Sequence, residues 1–206
     1  MDDGSLPRRR EPGPEATKPE QIRDVAMRCF AERGIASTSL RVIAETAGVS
    51  LGLIQHYFVT KNQLIECIDR HVLSIFDEAL GGQSEVSAAD PAADAGGRFA
   101  ELMYKNPDVM DYIGRTLAEG GAVGSVIFDG LYAISAAQGA RFAEQGLVPN
   151  DLDPVWANLL PLVLRVGTIM LRPHIERYVD GSLYEPAQTS RWDAAVSRMI
   201  REGQMS

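Results

Sequence analysis

Three polar side chains that can recognise DNA lie together at Gln55, His56 and Tyr57. An amide, an imidazole and a phenol supply the hydrogen-bond donors and acceptors that address base edges and phosphate oxygens. Gly52, about one helical turn earlier, would let the same segment approach a duplex closely. The chemistry that this cluster suits is therefore recognition of nucleic acid.

Two short helices joined by a tight turn are predicted to position this cluster. Ser39 can cap the first helix by accepting a backbone N–H bond. A buried face of that helix is indicated by apolar residues at helical spacing, namely Leu40, Ile43, Ala44 and Ala47. Gly48 can end the helix in the left-handed conformation, and Ser50 can cap the second helix, expected over residues 50–57. This is the layout of a helix-turn-helix, a motif that reads DNA.

The neighbouring segments extend this unit on both sides. Pro19 suits a helix start, and the apolar stripe that follows it would brace the reading helix. Thr60 can cap the helix after the motif, where the charge of Lys61 joins free backbone N–H groups that favour an anion. We therefore predict that this helix start clamps a DNA phosphate.

Residues 19–64 resemble the DNA-binding domain of the tetracycline-repressor (TetR) family of bacterial regulators. The positions that carry the resemblance are Phe30, Gly34, Thr38, Ser39, Ile43, Ala44, Ala47, Gly48, Val49, Ser50, Gly52, Phe58, Lys61 and Leu64. The chain departs from the family's pattern at Leu51, Gln55, Val59 and Asn62, which bears on the operator sequence rather than on the fold. Together the resemblance and the polar cluster predict DNA contacts at Thr38, Ser39, Arg41, Ser50, Leu51, Gly52, Gln55, His56, Tyr57 and Lys61.

The resemblance implies an all-α protein. An N-terminal three-helix helix-turn-helix DNA-binding domain, residues 18–64, would precede a larger C-terminal helical domain for ligand binding and dimerisation, residues 65–206. The formal net charge is −8 at pH 7, yet residues 16–70 hold seven basic and six acidic side chains. We call residues 16–70 the head, which is almost neutral, and the rest of the chain the body, which is acidic. This distribution of charge predicts that attraction to DNA is local to the head.

Residues 1–17 are rich in Pro, Gly and charge, so we expect a disordered arm. Arg8, Arg9 and Arg10 within it could reach into a minor groove beside the site. The alternative is a solvated tail, because nearby carboxylates nearly cancel this charge.

Beyond the head the sequence reads as helices throughout, without sustained strand-like alternation. The predicted helices span residues 60–80, 98–104, 107–119, 123–144, 153–172 and 189–202. A loop is predicted over residues 81–97, where a short helix could begin.

The last two predicted helices carry apolar stripes that need a partner surface. In the family these helices pair with their symmetry mates in a four-helix bundle, so the resemblance implies a homodimer interface. Its candidate residues are Trp156, Leu160, Val163, Gly167, Trp192, Val196 and Met199. The alternative is that both stripes pack inside one subunit.

The middle helices are rich in methionine and aromatic side chains, which can repack around varied apolar guests. The resemblance implies a pocket here for a small-molecule effector, apolar or amphipathic. Its candidate lining is Met103, Tyr104, Met110, Ile113, Leu117, Phe128 and Tyr132. The alternative is ordinary core packing.

We therefore expect a transcriptional regulator, a repressor that binds a palindromic double-stranded DNA operator as a homodimer and is released by a small-molecule ligand. A ligand-independent regulator or an activator is the alternative, and a helical enzyme with an incidental helix-turn-helix is a remote one. The histidines, His56, His71 and His174, have no metal-binding spacing, and no P-loop, nucleophile elbow or dinucleotide motif occurs. We accordingly expect no catalytic residue, no metal and no cofactor.

The two cysteines, Cys29 and Cys67, each lie inside an amphipathic helical pattern and read as small buried hydrophobes of a reducing compartment. The first residues lack the apolar core of a signal peptide, and the most apolar stretch is broken by polar residues and proline. We therefore expect a cytoplasmic protein without a membrane span.

Overall fold

The structure is a computed structural model that describes residues 16–81, 91–149 and 151–204. Every regular element within these ranges is helical. The helices are α1 (Lys18–Arg33), α2 (Leu40–Ala47), α3 (Leu51–Tyr57), α4 (Lys61–Phe76), α5 (Pro91–Lys105), α6 (Pro107–Glu119), α7 (Gly121–Glu144), α8 (Pro154–Met170), α9 (Arg172–Ile175) and α10 (Pro186–Gln204). The predicted fold class, an N-terminal helix-turn-helix unit followed by a larger helical region, is confirmed. The predicted arm lies almost entirely outside the described residues.

The ends of the head helices are set by local hydrogen bonds. At the start of α1 the Glu20 carboxylate accepts the backbone N–H of Thr17 at 2.7 Å, and Pro19 occupies the first turn. The side-chain oxygens of Ser39, Ser50 and Thr60 each accept the backbone N–H three residues further on, at 3.3, 3.1 and 3.2 Å. These three caps were predicted and are confirmed.

Gly48 ends α2 in the left-handed region, with φ +66° and ψ 31°. A residue with a Cβ is disfavoured in that conformation, so the sharp turn between α2 and α3 depends on glycine. The predicted helix-turn-helix connection is thereby confirmed.

Helices α1 and α4 attach the head to the rest of the molecule. Helix α1 packs along α6, and α4 packs against α1 and α7. The Tyr112 hydroxyl of α6 donates to the Asp69 carboxylate of α4 at 2.7 Å, with both side chains buried. Burial raises the pKa of Asp69, and this hydrogen bond opposes that rise. Arg28 of α1 also forms an ion pair with Asp108 of α6, at 3.6 Å.

The C-terminal region is built from α5 packed along α10, and from α6, α7 and α8, which pack against one another. Helix α5 begins at Pro91, seven residues before the helix predicted at residue 98. The predicted start at residue 98 was too late, because Gly96 and Gly97 are helical, whereas the prediction that a helix could begin within residues 81–97 is confirmed. An added Cβ on Gly96 would collide with Asp193 and Ser197 of α10, so this glycine lets the two helices approach closely.

Other helix boundaries differ from the predictions by a few residues. The regular part of α4 ends at Phe76, and a π-helical turn, Asp77–Gly81, continues it. Helix α8 ends at Met170 rather than at residue 172, and α10 begins at Pro186, three residues earlier than predicted. Among the described helices, none combines the length and apolarity needed to cross a membrane.

Candidate nucleic-acid interface

Helix α3 presents one face to solvent and fixes the other in the core of the head. Ile54 is fully buried and Phe58, which follows the helix, is 7% exposed. The exposed residues of this segment are Ser50, Leu51, Gly52, Gln55, His56 and Tyr57. All six were predicted DNA contacts, and the structure brings them together on one surface, which we call the reading face. Each of them remains a predicted contact.

Gly52 lies at an open position on the reading face. An added Cβ would meet only the Ser50 hydroxyl oxygen, at 3.9 Å, which is ordinary van der Waals contact. The packing of this chain therefore does not require glycine here, unlike at Gly96. Next to it, the rings of His56 and Tyr57 meet edge to face with centroids 5.1 Å apart.

Thr38 does not belong to this surface. Its side chain is fully buried, and its hydroxyl donates to the Gly34 carbonyl oxygen at 2.8 Å. The prediction of a side-chain DNA contact at Thr38 is therefore corrected, because this hydroxyl fixes the connection between α1 and α2. Ser39 and Arg41 are exposed beside it, and Arg41 forms an open ion pair with Glu45 at 3.4 Å.

Lys61 lies at the start of α4, as predicted, but its ammonium group is turned inward. The Nζ donates to the Ile35 carbonyl oxygen and lies 5.7 Å from the centre of the Phe30 ring. Partial burial lowers the pKa of this lysine. The phosphate clamp remains a prediction, and it would share the ammonium group with the Ile35 carbonyl.

The predicted pocket residues lie mostly in the core of the protein. Met103, Met110 and Ile113 are fully buried, and Leu117, Phe128 and Tyr132 pack against the same core. Tyr104 is instead 38% exposed. Most of these side chains pack between helices in this structure, and they remain a predicted pocket lining.

A cavity of about 70 Å³ lies elsewhere, between α5, α7, α8 and α10. Its lining includes none of the predicted pocket residues. The polar side chains that face it include Ser135, Gln138 and Arg165. Sequence analysis missed this site, although a single arginine inside the apolar stretch of α8 was a signal for it.

The predicted interface residues fall into two groups. Trp156, Leu160, Val163 and Met199 are 56%, 45%, 48% and 62% exposed, and Gly167 is half-buried on the same helix as the first three. These residues remain a predicted interface.

Val196 is buried within its own subunit, so the interface prediction is corrected for it, whereas Trp192 is half-buried and remains a predicted interface residue. The Trp192 indole N–H donates to the Thr168 hydroxyl at 3.0 Å. The centroids of the Trp192 and Phe99 rings are 5.7 Å apart. Val196 is only 7% exposed. These two residues pack α10 against the neighbouring helices.

No group of three or more His, Cys, Asp or Glu side chains in the described part of the chain could hold a metal ion. Several of the described acidic and basic side chains form ion pairs along and between helices, such as Arg172 with Asp111 at 2.8 Å.

Comparison with known proteins finds similarity in the head region of the sequence. Residues 22–68 match the family model described as bacterial regulatory proteins, tetR family. The HTH-type transcriptional regulator BetI of Paraburkholderia xenovorans (strain LB400) is 34% identical over 71 residues, which cover 34% of this chain and 36% of that protein. The chain thus spans about a third of the length of the curated relatives it matches.

Solved structures resemble the chain over most of its length. The transcriptional regulator FadR from Bacillus subtilis, solved in complex with stearoyl-CoA, has a TM-score of 0.72 at 18% identity, covering 89% of this chain and 97% of that one. The TetR family regulator PfmR from Thermus thermophilus has a TM-score of 0.66 at 19% identity, covering 91% and 97%. At such identities the likeness shows the fold. Residues 22–68 are therefore similar to the tetR family of bacterial regulatory proteins, and the chain shares its fold with such regulators over most of its length.

Proposed function

We propose that this protein is a DNA-binding transcriptional regulator, a repressor that binds a palindromic operator as a homodimer and is released by a small molecule. The observation that carries the proposal is the reading face. Helix α3 has only seven residues, and it exposes Gln55, His56 and Tyr57 beside the open position of Gly52. These exposed polar side chains are not explained by packing, and they can hydrogen-bond to base edges. The match of the head to the tetR family model supports the same role for α3, and a DNA target would place the protein in the cytoplasm.

A homodimer is supported by the exposed face of α8. Trp156, Leu160 and Val163 recur at helical spacing and leave large apolar groups in water. Burying such a stripe against a second copy would stabilise the pair by the hydrophobic effect. Two-fold symmetry would also place two copies of α3 on a palindrome, which a short reading helix needs to reach useful specificity.

Release by a ligand is supported by the way the head is joined to the body. Helix α4 begins at the predicted phosphate clamp and ends at Phe76, which lines a small cavity of the body. The buried Tyr112–Asp69 hydrogen bond ties the middle of α4 to α6. A ligand that favours a body shape with the two heads wrongly spaced must weaken DNA binding, typically by about 1 to 3 kcal/mol. The similar B. subtilis protein was solved in complex with stearoyl-CoA, which supports a small-molecule ligand for this chain as well.

The test is to select duplexes from a random pool with the purified protein, then to measure affinity for the winners across a salt series. We expect a palindromic motif bound in the nanomolar range, with a steep dependence on salt. Leu160→Glu, placed in the exposed stripe, should reduce both the dimer fraction and operator affinity. The exposed Arg177→Met, outside the stripe, is the matched control. Absence of any enriched motif would contradict the proposal.

A further inference from the structure

Two adjacent cavities of the body share one polar wall. The outer chamber, of about 70 Å³, includes Phe142, Val148, Leu152 and Ile200 in its lining. The inner chamber, of about 30 Å³, is walled by apolar side chains that include Phe76, Leu80, Phe99, Leu131, Leu162 and Val166. Ser135, Gln138 and Arg165 line both chambers. A ligand head group at this wall could therefore extend its body into either chamber.

Arg165 brings a largely buried positive charge to this wall. Its Cζ lies 5.5 Å from the centre of the Phe99 ring. One guanidinium N–H donates at 3.4 Å to the Pro161 carbonyl oxygen, one turn back in the same helix. Asp193 of α10 is near enough to attract the charge but forms no ion pair with it, and its carboxylate accepts the Ser197 hydroxyl at 2.9 Å. Since a guanidinium has five N–H donors, Arg165 can bind a further acceptor.

Gln138 adds a second donor without a partner. Its Nε2 is buried, and no described residue accepts a hydrogen bond from it. Native proteins rarely leave a buried donor unsatisfied, because desolvation without a hydrogen bond is unfavourable. The neighbouring Ser135 hydroxyl is occupied, since it donates to the Asn158 carbonyl oxygen at 3.3 Å.

An amide donor and a guanidinium at one wall select a particular kind of head group. A carboxylate has two oxygens that accept from Arg and Gln together, and its charge neutralises the buried cation. A hydroxyl or an ester carbonyl could accept a hydrogen bond, but it would leave the charge unpaired. The geometry points to a small amphipathic carboxylate as the effector, with its head on Arg165 and Gln138 and its apolar body entering the inner chamber, which must widen from about 30 Å³ to hold it.

This inference rests on the proposed ligand-released function and specifies the ligand class of that function. The apolar body would lie against Phe76 and Leu80, at the end of α4 and in the π-helical turn after it. Arg141 of α7 also donates to the Leu80 carbonyl oxygen at 3.1 Å, so the turn is held against the body. Filling the inner chamber would therefore act directly on the helix that carries the head.

The experiment titrates full-length protein by calorimetry with octanoate and phenylacetate, and with 1-octanol and methyl octanoate as neutral probes. We expect at least one carboxylate to bind tenfold or more tightly than the neutral probes. Arg165→Met should lower carboxylate affinity at least tenfold and abolish the preference. Gln138→Leu, which removes an unpartnered donor and should fold as stably as wild type, is the second variant and should also lower carboxylate affinity. The exposed Arg177→Met is the control and should change neither affinity.

Equal affinity for carboxylates and neutral probes would overturn the inference, as would carboxylate binding that survives both Arg165→Met and Gln138→Leu. If the protein selects a palindromic operator but binds none of these carboxylates, the inference fails and the proposed regulator stands. If octanoate binds through Arg165 while no operator is selected, the ligand site stands and the proposed function fails.

Discussion

The Gly52→Ala variant tests whether the reading face contacts DNA. We expect this substitution to stabilise the folded protein and to weaken its binding to DNA. The added Cβ would meet the Ser50 oxygen at 3.9 Å and nothing closer, so the folded head accommodates it. Alanine is preferred to glycine in a helix by about 0.5 to 1 kcal/mol. The variant should therefore be slightly more stable than wild type, by up to that amount.

On an operator the same methyl group would stand between the backbone of α3 and the duplex. An overpacked contact typically costs about 1 to 3 kcal/mol, and about 1.4 kcal/mol is a tenfold loss of affinity. With two heads on a palindrome, the cost is about 2 to 6 kcal/mol, so we expect operator affinity to fall about 30-fold or more. Thermal melting and fluorescence anisotropy on the selected duplex measure the two effects.

Gly97→Ala is the matched control, because Gly97 is an exposed helical glycine of α5 whose added Cβ meets nothing within 4 Å. It should raise stability similarly and leave operator affinity unchanged. A Gly52→Ala protein that is as stable as wild type or more so, and binds the operator equally well, would refute the assignment of this face to DNA.

Three further results are expected. Lys61→Ala should weaken all duplexes about equally and make the salt slope shallower by roughly one per head; lower stability with an unchanged slope would assign Lys61 to the Ile35 carbonyl alone. Tyr112→Phe should lower the free energy of unfolding by about 1 to 3 kcal/mol, because the buried Asp69 loses a donor; denaturant titration measures this, and an unchanged midpoint would contradict it. Burial raises the pKa of Asp69, so the stability contributed by its protonated form is full below the unfolded pKa near 3.8 and is lost as pH rises through the folded pKa. Asp69→Asn should reduce this loss of stability with rising pH. A series of melting curves across pH in which the variant matches wild type would argue against this role of Asp69.

The features predicted correctly from sequence are those set by a few neighbouring residues. The caps at Ser39, Ser50 and Thr60 and the left-handed Gly48 each depend on chemistry within about four positions along the chain. The exposed character of α3 could be predicted as well, since polar residues there leave few apolar anchors. Local chemistry thus specified the helix-turn-helix before any tertiary contact was known.

The features missed depend on residues distant in sequence. Gly96 lies within a helix that packs closely along α10, and no pattern around residue 96 carries that information. A threonine such as Thr38 can cap a helix or contact DNA, but its hydroxyl instead donates a hydrogen bond to the Gly34 carbonyl oxygen in the preceding turn. The unpartnered donor of Gln138 likewise emerges only when α7 and α8 are brought together. Tertiary packing determines these three features, and the intrinsic helix propensities of the residues do not reveal that packing.

The exposed stripe of Trp156, Leu160 and Val163 would make the protein sensitive to its own abundance. In the proposed homodimer, the concentration of paired subunits rises as the square of the subunit concentration wherever subunits are mostly separate. Operator occupancy would then fall faster than copy number as a growing cell dilutes the protein. Melting temperature would rise with protein concentration for the same reason, since pairing stabilises the folded chain by mass action. The hydrophobicity of this one helix face would thereby set the cellular concentration at which repression begins.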